Sequence, residues 1–151
     1  MTALLRLRWI WLLALLLTAC SPSNDESTQG EISAAKSQAA YFLESLKLVE
    51  QSGRQLQSSD PTQALVDQAL SGMDAGLKLA FEVDTAFLNK LDVRLGKNYQ
   101  RYFVEGVQAY RIGIEAADQS EQRRGLSLLN RWAQFWSTSQ SAIQQKLQAQ
   151  P

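Results

Sequence analysis

The stretch LKLAFEVDTAFLNKLDVRL, Leu77 to Leu95, decides the fold, because its first eight residues fit two structures. The apolar residues of LKLAFEVD, Leu77 to Asp84, alternate with period two, as in a half-buried strand. A strand needs a partner, and LDVRL, Leu91 to Leu95, is the only local one. The intervening TAFLNK lacks glycine and carries no hairpin turn signature. The stretch therefore reads as a helix running to about Glu82, followed by a fresh start at the capping residue Asp84.

Working outward, the same period appears on both sides. Upstream, SSDPTQ breaks the chain, with Asp60 expected as an N-cap, Pro61 at the first helical position and Gln63 as a capping-box partner. The helix that starts there should turn Val66, Leu70, Met73 and Leu77 inward. Before the break, Ile32, Ala35, Ala39, Phe42, Leu46, Val49, Gly53 and Leu56 fall on one stripe of a helix of about 28 residues. Downstream, Leu95, Tyr99, Tyr102, Phe103, Val107, Tyr110 and Ile114 form a third stripe, with Gly106 and Gly113 as low points on its surface. After AADQSEQRRG, where Ser120 is the expected cap, a fourth stripe carries Leu126, Leu129, Trp132, Trp136, Ile143 and Leu147. Apolar β-branched runs of the kind a parallel sheet needs are missing. The expected fold is all-α, an antiparallel helical bundle of about four helices over residues 31 to 151.

The N-terminal segment is set apart from that fold. Met1 to Arg8 holds Arg6 and Arg8 and no acid, and WIWLLALLL follows from Trp9 to Leu17. That run is shorter than the roughly 20 apolar residues that cross a bilayer. Leu17, Thr18, Ala19 and Cys20 resemble the lipobox of bacterial lipoproteins. The resemblance implies cleavage between Ala19 and Cys20 and acylation of Cys20, with residues 1 to 19 removed as a signal peptide. Lipidation also accounts for the single cysteine, which has no disulfide partner. Two or more buried acyl chains would hold the mature protein firmly on a membrane. Ser21 rather than Asp follows the cysteine, which in that family favours the outer membrane, facing the periplasm. Residues 20 to 30, with the polar SPSNDESTQ, are expected to be a flexible tether reaching at most ~35 Å.

Charge excludes one class of partner. The chain has 15 basic and 15 acidic residues, and removing residues 1 to 19 takes away two of the basic ones. The nearest thing to a basic cluster is the pair Arg123 and Arg124. Nothing here neutralises a run of phosphates, so nucleic acid is not an expected partner.

Catalytic chemistry is restricted in the same way. The chain contains no histidine and its one cysteine is assigned to lipid. Imidazole-dependent catalysis, His-bearing or thiolate metal sites and covalent haem attachment all lose their residues. Gly72 and Gly76 in SGMDAG lack the lysine and strand of a phosphate loop. No enzyme, metal or cofactor is expected.

Two aromatic clusters and one glycine set remain. RWAQFW, Arg131 to Trp136, places Trp132 and Trp136 on one face with Phe135 near it. NYQRYF, Asn98 to Phe103, spreads Tyr99, Tyr102 and Phe103 over more than one side of its helix, so at least one ring should be partly exposed. Each cluster reads as core or as a surface for a partner, since aromatic residues and arginine dominate interfaces. Trp132, Phe135, Trp136, Tyr99 and Tyr102 are thus the candidate partner-binding residues. Gly72, Gly76, Gly106 and Gly113 mark either close helix packing or a groove. The expected role is a tethered, non-enzymatic helical module that binds another envelope protein; its architecture resembles that of the pilotins, small helical lipoproteins that escort secretin subunits. The alternative is a carrier of a small ligand or lipid in a cavity between helices.

Overall fold

A computed structural model describes residues 25–57, 60 and 62–149, with side chains from residue 34 onward. The chain divides after Glu31 into an N-terminal unit and a helical unit. Of the first, only residues 25 to 31 are described, as the opening turns of a helix. The expected signal peptide and lipobox, with Cys20, fall outside the described residues.

The elements are α1 (Asp25–Leu56), α2 (Gln63–Phe81), α3 (Thr85–Leu91), α4 (Leu95–Asn98), a π-helical segment (Tyr99–Val104), α5 (Glu105–Glu115) and α6 (Gln119–Gln148). From α4 through the π segment to α5 the helix runs unbroken, so the described residues make five rods and no strand. The fold is an all-α bundle. Helix α1 starts six residues before the expected boundary, so residues 25 to 30, expected in the tether, are helical instead. That stretch has no proline, and its one glycine, Gly30, costs a helix only about 1 kcal/mol.

The deciding stretch resolves as helix. Helix α2 ends at Phe81, and Asp84 caps α3 by accepting from the Ala86 amide at 2.7 Å. Gln38 of α1 closes this corner, donating to the Glu82 carbonyl and accepting from the Asp84 amide at 2.6 Å.

Two expected caps fall elsewhere. Thr62, not Asp60, caps α2 and accepts from the Leu65 amide at 3.4 Å. Gln63 turns forward to donate to Asp67 at 2.8 Å and makes no capping box. Asp118, not Ser120, caps α6 by accepting from the amides of Ser120 and Glu121. The turn before it satisfies the end of α5 through Asp118 N–H to Gly113 O and Ala117 N–H to Ile114 O. This is a Schellman closure, with Ala117 at φ 51° where glycine is usual.

Packing of α2 on α1 uses small residues. Ala69, Met73, Gly76, Leu77 and Ala80 are buried, while Val66 and Leu70 are half-buried. The inward stripe is therefore rotated toward the alanines. A Cβ on Gly76 would meet Val49 at 2.8 Å and the Ser45 carbonyl at 3.2 Å, and one on Gly72 would strike the Ser52 side chain. Helices α5 and α6 meet in the same manner, since a Cβ on Gly125 would lie 2.7 Å from Tyr110 Cα. Gly125 thus takes the inward position expected of Leu126, which is exposed.

Candidate functional site

The aromatic residues of both sequence clusters converge, but most of the convergence is core. The π segment brings Tyr99 and Phe103, four apart, into a stack at 5.0 Å and 15°. Phe42 of α1 and Trp132 of α6 meet Tyr99 edge-on at 5.3 and 5.8 Å. Trp132 stacks on Trp136 at 5.5 Å, and Trp136 meets Phe42 at 5.8 Å. Tyr99 is fully buried and Trp132 is 7 % exposed. Neither ring has surface to offer a partner, which corrects their place among the candidate binding residues: the periodicity that put them on a stripe also put them inside.

Tyr99 carries the one phenol of this core. Ser45 donates to the Phe42 carbonyl at 2.7 Å, so its oxygen is left to accept from Tyr99 at 2.6 Å. Burial pushes the phenol above its ordinary range, and the Ser45 hydrogen bond opposes this only in part. A satisfied chain of hydroxyls of this kind holds the register of α1 against the π segment.

Tyr102, Phe135 and Trp136 remain half-buried. The first two line the seam between the π segment and α6, where arginines cover them. Arg101 and Arg131 each lie 5.9 Å from the Tyr102 ring centre, and Arg94 lies 5.6 Å from that of Phe135. Guanidinium over ring is an attractive geometry that also fixes the orientation of the cation. Arg94 is neutralised by Asp92 at 3.3 Å, and the hydrogen bonds from Arg94 hold the Asp92 carboxyl below the usual carboxylate range. Arg101, Arg131 and Arg123 make no ion pair among the described residues.

Two stretches that pair in space give this seam its sign. Val93 to Val104 contains Arg94, Lys97 and Arg101 and no acid, and Gln122 to Gln148 contains Arg123, Arg124, Arg131 and Lys146 and no acid. The acids concentrate elsewhere: residues 34 to 84 hold seven acidic and four basic side chains. A balanced total charge therefore conceals a basic side. The arginines of the seam were not singled out from the sequence, since 94, 101 and 131 become neighbours only when the helices pair.

Beside the seam, an open depression runs along α6, lined by Arg123, Leu126, Ser127, Asn130, Arg131 and Gln134. The glycines give no comparable groove, because neighbouring helices close over Gly72, Gly76, Gly106 and Gly113 within about 3 Å of where a side chain would begin. Among the described residues no set of three or more His, Cys, Asp or Glu is placed to hold a metal ion, and no helix is long and apolar enough to cross a membrane. No family model matches the chain, and no curated protein or solved structure matches it either.

Proposed function

We propose that the chain is an outer-membrane lipoprotein facing the periplasm, held by acyl chains on Cys20, whose helical unit docks without catalysis onto another envelope protein. The anchor half of this reading rests on Leu17–Thr18–Ala19–Cys20 followed by Ser21. The docking half rests on one observation: half-buried rings on the seam are overlaid by arginines, two of which have no acidic partner among the described residues. Half-buried rings beside exposed guanidiniums put apolar and cationic contact area on one surface, the combination that interface anchors use. Escort of a larger envelope protein, as pilotins do, is one form such a role takes. The filled aromatic core and the closed glycine contacts favour docking over the carrier alternative, which needs space between the helices.

Chemical cross-linking in intact envelopes, followed by capture of the lipidated chain, tests this reading. The wild type should yield a defined cross-linked partner, and the double variant Arg101→Glu/Arg131→Glu should lose it while keeping its helical spectrum. Equal capture by both would remove the seam as the docking surface. An unmodified N-terminus in the mature protein by mass spectrometry would remove the anchor.

A further inference from the structure

Resting on the docking reading, we infer that the partner presents an extended, carboxylate-bearing polar segment, which lies along α6 between Arg123 and Arg131 with one end beside Tyr102. Three features of the surface select this occupant. Arg131 reaches both the Tyr102 ring and the α6 depression, so the two are one continuous surface. Arg123 and Arg131 are eight residues apart on the helix, about 12 Å along its axis. An extended chain covers that distance in about four residues at ~3.3 Å each, so carboxylates four positions apart would meet both cations.

Between the two arginines the wall is Ser127 and Asn130, continued past Arg131 by Gln134, with Leu126 its one apolar side chain among the described residues. Such a wall supplies hydroxyls and amides to the exposed N–H and C=O groups of an extended backbone. It supplies no row of apolar pockets, so an amphipathic helix would have nowhere to seat its anchors. A lipid surface fits less well. Peripheral binding requires apolar side chains that enter the acyl boundary, whereas the rings of this seam are half-buried and covered by guanidiniums. A guanidinium fork receives carboxylate and phosphate alike through two parallel hydrogen bonds, so it is the scarcity of apolar side chains on this wall that sets a carboxylate-bearing segment above a lipid headgroup.

The test uses the full lipidated protein in phosphatidylcholine nanodiscs and a rhodamine-labelled heptapeptide carrying two glutamates four positions apart in a serine and glycine frame. Fluorescence anisotropy at low salt should show the peptide binding at least ten-fold tighter than its twin with glutamine at both places. Arg131→Gln should reduce that binding about ten-fold, and Arg131→Lys should recover only part of it because lysine lacks the fork. Lys36→Gln, on α1, should change nothing. Equal binding of the glutamine twin, or indifference to Arg131→Gln, would overturn the inference. So would loss of peptide binding when the discs are made with phosphatidylglycerol, because the face would then belong to lipid. A cross-linked partner whose capture is insensitive to Arg131→Gln but lost in another surface variant would sink this inference and leave the docking role standing. Glutamate-specific, Arg131-dependent peptide binding without any envelope partner would do the reverse.

Discussion

Replacing Tyr99 or Ser45 separates a lost hydrogen bond from a stranded donor. In the native core the Tyr99 hydroxyl donates to Ser45, and Ser45 donates onward to the Phe42 carbonyl. Tyr99→Phe removes the donor at the head of this chain and leaves every remaining group satisfied, at a cost of about 1 kcal/mol. Ser45→Ala deletes the acceptor instead. The phenol is then left fully buried with no partner, at a cost of about 1 to 3 kcal/mol. The double variant removes both members, so its loss should fall short of the sum of the two singles. For a unit of this size 1 kcal/mol corresponds to about 4 °C in Tm, so calorimetry resolves the order. The ionisation of Tyr99 provides a second reading. Its pKa is raised in the fold above the unfolded value of ~10. Its contribution is thus fully present below pH ~10 and lost as pH rises through the folded value. Wild type should lose up to ~1.4 kcal/mol more per pH unit than Tyr99→Phe in that window. A Tyr99→Phe protein less stable than Ser45→Ala, with an unchanged alkaline limb, would refute the assignment of donor and acceptor.

The two tryptophans should part company in thermal melts: Trp132→Ala should cost about 3 to 5 kcal/mol, and Trp136→Ala, half-buried, clearly less. Gly125→Ala should destabilise by several degrees in Tm, because its new methyl meets the Tyr110 backbone, while Gly53→Ala, with open space around it, should stabilise by up to ~1 kcal/mol. Ala117→Gly should raise stability by roughly 1 kcal/mol in a urea titration by relieving the left-handed backbone at φ 51°. Cys20→Ser should abolish the acyl mass and detergent-dependent extraction, and retention of either in that variant would count against the lipobox.

Much of the bundle was legible because helical periodicity is a local property. The choice at Leu77 to Asp84 came out as expected: no turn residue stood where a hairpin needed one, and Asp84 had the chemistry of a cap. Caps were harder to place than helices. Asp60 and Thr62 are both good N-cap types two residues apart, and only the hydrogen bond from the Leu65 amide decides between them. The break between α5 and α6 was legible at AADQSEQRRG, but its left-handed position was not, since a place that favours glycine is filled by Ala117. Inward stripes drifted wherever small residues did the packing. Gly125 buries itself against Tyr110 and leaves Leu126 outside, the opposite of what side-chain size suggests.

The proposed docking face was illegible for a different reason. Charge summed along the chain comes to zero, and no short window is strongly basic, so neither composition nor a local scan points to a surface. The sign appears only when an acid-free stretch around the π segment is laid beside an acid-free stretch of α6, which are separated by α5 and its turn. Aromatic spacing misled in the other direction. It brought forward Tyr99 and Trp132, whose rings close the core, together with Tyr102 and Phe135, whose rings reach the seam, because all four lie at helical intervals. Arginine separates the two pairs. Arg94, Arg101 and Arg131 cover the rings that reach the surface, whereas Tyr99 and Trp132 are packed among other rings. Charge reversal should therefore act selectively: Arg131→Glu, exposed and free of ion pairs among the described residues, should shift Tm by no more than a degree or two while weakening capture of an acidic partner. A Tm loss as large as that of Trp132→Ala would mean that the seam arginines hold the fold together, and docking would have to be sought on another face.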